Sequence, residues 1–111
     1  MKGNHIGELE ELILLTVGIL QTEAYGVAVL KELSDQTGRS VNISAIHAVL
    51  NRLEEKGFLN SQMGGATNER GGRRKRVYTL SASGRSVVDE MKAMRDKLYS
   101  QLPPLSYNFS V

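Results

Sequence analysis

The sequence predicts a mainly helical fold with one small β-hairpin, α+β in class. Three observations carry that expectation. Four stretches repeat apolar residues at three- and four-residue spacing. Two β-prone runs, Phe58 to Gly65 and Val77 to Leu80, flank a glycine-rich turn. Gly38, Gly57 and Pro103-Pro104 punctuate the helical stretches where stops are needed.

A chain of 111 residues corresponds to one domain with a modest core. Apolar residues at 41% and charged residues at 23% describe an ordinary globular protein, not a disordered one. With no cysteine, disulfides and thiolate metal sites are excluded, in keeping with a reducing compartment. The longest apolar run, Leu12 to Leu20, is far too short to span a bilayer. Glu8, Glu10 and Glu11 precede it where a signal peptide carries positive charge. The expectation is therefore a soluble cytoplasmic protein with no membrane partner.

Net charge is only +2, but it is segregated along the chain. Residues 1–38 hold two basic and six acidic side chains, a balance of −4, whereas residues 39–88 hold nine basic and three acidic, a balance of +6. An acidic front and a basic middle give a polyanion one attractive face and one repulsive face, which orients binding.

Taken in order, Gly7 to Leu20 reads as a first helix. Leu9, Leu12, Ile13, Thr16 and Leu20 share one face, while Leu14, Leu15, Val17 and Ile19 cover much of the rest. Such a helix must be covered from more than one side, either as the centre of a monomer or, as expected in so small a protein, by a second copy of the chain. A break at Thr22 to Ala24 leads to a second helix, Tyr25 to Thr37, with the stripe Val27, Leu30 and Leu33. Arg39 to Ile43 is an extended connector, and Ser44 is the expected N-cap of a third helix from Ala45 to Lys56.

In the third helix Ile46, Val49, Leu50 and Leu53 form one narrow buried stripe. The opposite face carries Ser44, His47, Ala48, Asn51, Arg52 and Glu55. Small residues permit close approach to a major groove, and Asn and Arg pair with base edges or phosphates. For His47 two roles stay open, a DNA backbone contact and a satisfied structural histidine. Beyond Gly57 comes the hairpin, and its second strand follows a turn in which Arg70, Arg73, Arg74, Lys75 and Arg76 fall within seven residues. A charged, glycine-loosened tip suits phosphate, although a basic run alone is also what a solvated loop looks like. Helix, connector, helix, hairpin is the order of a winged helix-turn-helix.

Ser81 to Leu102 reads as a fourth helix with Ser81 as its cap. Val87, Met91, Met94 and Leu98 form a heptad seam along it. With Leu12, Leu15 and Ile19 of the first helix, this seam is the expected dimer interface; the alternative is an ordinary amphipathic helix on its own core. The tail Leu105 to Val111 alternates apolar and polar residues, as an extended arm would, and termini also fray.

The residues then carry a family resemblance. Gly7-Glu8-Leu9-Glu10, Ala24-Tyr25-Gly26-Val27, Leu50-Asn51-Arg52-Leu53-Glu54-Glu55-Lys56-Gly57, the run Glu69 to Arg76 and Tyr78-Thr79-Leu80-Ser81-Ala82-Ser83-Gly84 occur in an ordered set that resembles the PadR family of bacterial transcriptional regulators. The resemblance covers roughly Ile6 to Met94. The chain departs from it in carrying His47 and Val77 where tyrosines are frequent, and in having a short C-terminal helical region.

What the resemblance implies is a homodimer that binds a pseudo-palindromic operator in double-stranded DNA and usually represses, with a small-molecule effector between the first and fourth helices, for which Leu15, Ile19, Met91 and Met94 are candidates to line an apolar cavity, or equally to form plain interface core. On this reading residues 1–80 are the DNA-binding domain, 81–102 the dimerisation helix and 103–111 a tail. The DNA-contact candidates are Tyr25, Ser44, His47, Ala48, Asn51, Arg52, Arg70, Arg73, Arg74, Lys75 and Arg76. A winged-helix module that binds protein is the alternative. An enzyme reading has no support, because His5 and His47 lack partners at metal-ligand spacing and the glycine pairs do not form a phosphate-binding loop. No catalytic residue, metal or cofactor is expected.

Overall fold

The computed structural model describes residues 6–64 and 75–105. Four helices and a two-stranded hairpin follow in the order α1 (Glu8–Leu20), a 3-10 turn (Gln21–Glu23), α2 (Gly26–Thr37), α3 (Ile43–Glu55), β1 (Leu59–Met63), β2 (Arg76–Leu80) and α4 (Ala82–Ser100). The predicted fold class is the one observed.

Local chemistry sets each boundary. At the start of α1 the Glu10 carboxylate accepts the Gly7 amide at 2.8 Å, and Glu8, Glu10 and Glu11 occupy the first turn, where the helix dipole favours negative charge. Gly38 ends α2 with φ 74°, and Gly57 follows α3 with φ 86°, a region that glycine enters without a Cβ penalty. The cap of α3 is Asn42, not Ser44. Its side-chain oxygen accepts the Ala45 amide at 2.8 Å, which starts the helix two residues earlier than expected and leaves Ser44 exposed within its first turn. Ser81 caps α4 as expected, accepting from the Gly84 amide at 3.0 Å while its hydroxyl donates to the Gly57 carbonyl at 2.7 Å.

The strands pair antiparallel in the register Leu59 with Leu80 through Met63 with Arg76. β2 also touches the front of α2: Tyr25 bridges Val77, and the Tyr78 amide donates to the Ala24 carbonyl at 2.8 Å. The hairpin is thereby fixed to the helical body and not only to its own turn.

One core joins these elements. Ile13, Leu14 and Val17 of α1 meet Val29 and Leu33 of α2, Ile46, Val49, Leu50 and Leu53 of α3, then Phe58, Leu59, Tyr78, Val87 and Val88. Two helical stripes differ from expectation. In α2 the buried face is Gly26, Val29 and Leu33, so Val27, one position off that face, is 63% exposed. In α4 the seam divides: Val87 belongs to the chain's own core and Met91 is half-buried, but Met94 and Leu98 are 52% and 60% exposed. From Lys92 to Ser100 every α4 residue is exposed, and none of them belongs to the buried core.

Candidate nucleic-acid interface

The buried stripe of α3 fixes which residues face outward. With Ile46, Leu50 and Leu53 fully buried and Val49 nearly so, Ser44, His47, Ala48, Asn51, Arg52 and Glu55 are all exposed. They form a continuous polar surface with Ala48 as its low point.

Beside this surface lies a groove of about 530 Å³ lined by Tyr25, Gly26, Val27, His47, Asn51, Lys75, Arg76 and Tyr78. The bridge from Tyr25 to Val77 brings the front of α2, the face of α3 and the base of the hairpin together here. Lys75 places its ammonium 4.1 Å from the centroid of the Tyr25 ring, a cation–π contact that keeps the cation at the groove edge. Arg76 donates to the Ser61 hydroxyl at 2.9 Å, and that hydroxyl donates to Glu54 at 2.7 Å, so the arginine stem is steered along the hairpin. Burial, aided by the nearby Glu54 charge, raises the Tyr78 phenol above its ordinary range, and this ring stays neutral at physiological pH.

His47 sits directly over Gly26. A methyl group built on Gly26 would lie 2.5 Å from the imidazole Cε1, so the absence of a side chain there seats the ring in the groove. Arg52 has a different standing from its neighbours. Its Nε donates to Glu10 of α1 at 3.1 Å, and Lys56 donates to the same carboxylate oxygen at 3.1 Å. Burial pushes the Glu10 carboxyl upward, but the Gly7 amide and the Lys56 and Arg52 side chains outweigh it and hold it below the usual carboxylate range. Arg70, Arg73 and Arg74 lie outside the described residues.

The structure thus brings Tyr25, His47, Asn51, Lys75 and Arg76 to one groove and continues the surface through Ser44, Ala48 and Arg52. Three participants escaped sequence reasoning. Glu10 is joined to its cations across more than forty residues of chain, Val27 falls on the stripe that periodicity assigns to the core, and Tyr78 turns one edge to the groove although it is 3% exposed. No local spacing signals the first, whereas the buried Gly26, one residue away, marks the true stripe for the second.

A second concavity, about 920 Å³, runs between α1 and α4. It is lined by Leu15 and Ile19 together with Gly18, Leu80, Val88 and charged residues of α4. Met91 and Met94 are not among its lining residues: Met91 packs against the core and Met94 is 52% exposed. The cavity expected from Leu15, Ile19, Met91 and Met94 together is therefore not formed within one chain. Among the described residues no cluster of metal-ligating side chains occurs, and no helix is long and apolar enough to cross a membrane.

A recognition helix with an apolar back and a polar, small-residue front, flanked by a cationic hairpin, defines a winged helix-turn-helix protein of the DNA-binding class. The transcriptional regulator PadR-like family model matches residues 14–90, and the chain belongs to that family of DNA-binding regulators. Solved structures agree on the fold. A PadR-like transcription factor from Bacteroides fragilis aligns with TM-score 0.69 at 21% identity, covering 83% of this chain and 84% of the other. A PadR family transcription regulator from Clostridium difficile aligns with TM-score 0.66 at 23% identity over 85% and 93% of the two chains. One from Eggerthella lenta has 29% identity and TM-score 0.62 over 84% and 80%. No curated protein matches the sequence.

Proposed function

We propose that the protein is a homodimeric transcriptional repressor whose two copies of α3 enter successive major grooves of a pseudo-palindromic operator. The observation that carries this reading is the polar outer face of α3, continuous with a groove that holds Tyr25, His47, Asn51, Lys75 and Arg76. Basic hairpin residues, with Arg70, Arg73 and Arg74 among them, neutralise phosphates on the backbone or in the minor groove and supply sequence-independent affinity. Asn51 and Arg52 read base edges or the adjacent backbone, and Ala48 and Ser44 let the helix sit close.

Pairing is supported by what one chain leaves uncovered. Leu15 and Ile19 on α1 are 44% and 55% exposed, and Met94, Leu98, Tyr99 and Leu102 lie open on and just after α4. An apolar set of this extent on two antiparallel helices matches a self-complementary interface. Residues 81–102 then serve as the dimerisation helix. The Leu15–Ile19 groove between α1 and α4 takes the partner's helix.

Selection of fragments bound from the source genome, followed by footprinting, tests the reading. Two protected half-sites about one helical turn apart are expected. Protection of a single site by a monomer, or no enrichment over bulk DNA, would contradict it.

A further inference from the structure

Glu10 is a buried carboxylate in the first turn of α1 with a side chain 11% exposed. One oxygen accepts the Gly7 amide, and the other accepts both Arg52 Nε and Lys56 Nζ. Arg52 lies on the outward face of α3 next to Asn51 and Lys56 is the C-cap of that helix, and their side chains are 50% and 36% exposed. An exposed ion pair is readily traded for a phosphate, because solvent has already screened it. Glu10 is not in that position. Withdrawing its cations leaves a carboxylate largely out of water without countercharge, which is strongly unfavourable.

We propose that Glu10 is a positioning residue for DNA recognition that holds Arg52 and Lys56 in place and cancels their pull on phosphate, so that they contribute to discrimination and not to bulk affinity. The inference rests on the DNA-binding reading above. Arg52 is anchored through Nε, and among the described residues its two terminal nitrogens form no hydrogen bond or ion pair, which leaves that edge for a directed hydrogen bond. The same turn of α1 extends further. Glu11 accepts from Arg95 of α4 at 2.6 Å, so the acid that orders α3 is adjacent to the acid that ties α1 to α4. Consecutive carboxylates thus connect the reading helix with the face proposed for pairing.

The test uses the full chain and a mixed-sequence 30-base-pair duplex, about the length of an operator with two half-sites one turn apart, with binding followed against salt. Glu10→Gln keeps the shape and removes the charge. It is expected to tighten binding to this duplex several-fold and to steepen the salt slope by about one to two units, since each phosphate neutralised adds about 0.9. Lys56→Gln alone is expected to leave the slope unchanged, and in the Glu10→Gln background to remove about one unit of the gain. An unchanged slope in folded Glu10→Gln would overturn the proposal, as would a loss of a full unit in Lys56→Gln alone. The Lys56 arm decides the matter if Glu10→Gln does not fold. Failure of the unmodified protein to bind duplex at low salt would instead reject the DNA-binding reading itself.

Discussion

At the scale of single residues, two side chains have roles set by what they touch. His47 occupies the groove only because Gly26 offers no Cβ. Gly26→Ala is therefore expected to leave stability unchanged or slightly raised, since alanine is the better helix former, while the displaced imidazole weakens duplex binding by roughly 1 kcal/mol. Paired thermal melts and binding isotherms check this, and a parallel loss of both would point to a purely structural histidine. Glu10 makes a second expectation, this time of pH. Its folded-state carboxyl is held below its ordinary value, so the stability it contributes is present above the ordinary carboxylate range and is lost as pH falls through the lowered value. Urea midpoints followed from about pH 6 to about pH 3 should fall less steeply for Glu10→Gln than for the unmodified protein.

At the scale of elements, α4 performs two tasks in sequence. Its first turns are part of the core: Gly84 is buried against the Phe58 carbonyl and lies under Leu80, where an added Cβ would meet the Leu80 Cδ1 at 2.9 Å. Because a backbone carbonyl cannot move aside as a side-chain tip can, Gly84→Ala is expected to cost about 1–3 kcal/mol, measurable as a lowered urea midpoint. The later turns carry Met94 and Leu98 into solvent. Leu98→Glu should leave the monomer's fold intact and shift sedimentation toward a single-chain mass; an unaltered dimer would place the interface elsewhere. Much of this was legible in the sequence. The periodicities of α1 and α3, the Gly38 and Gly57 stops and the Ser81 cap are local properties, and the chain obeys them. The Asn42 cap was not distinguished from Ser44, because both residue types accept from an amide two or three residues on and only backbone geometry selects between them. The division of the α4 seam was equally hidden, since a heptad records which residues are apolar and not where the body of the protein ends.

At the scale of the whole molecule, sequence read the order of elements and the polar face of α3 correctly, because a helix that buries one narrow stripe must expose the rest. What it did not contain was the joining of distant parts: Tyr25 to Val77, Lys75 over Tyr25, and Glu10 beneath Arg52. These contacts turn a helix and a hairpin into one surface. The central claim is that this surface divides its labour between a basic hairpin that grips any duplex and a helix that discriminates. Salt-titrated binding of the Arg73→Ala/Arg74→Ala and Asn51→Ala proteins, on a genome-selected fragment and on bulk duplex, tests it most directly. The account predicts that the arginine variant loses affinity for both DNAs with a slope lowered by about one to two units, and that Asn51→Ala loses roughly 1–3 kcal/mol on the selected fragment alone. An arginine variant with unchanged salt dependence, together with an Asn51 variant equally weakened on both DNAs, would contradict it.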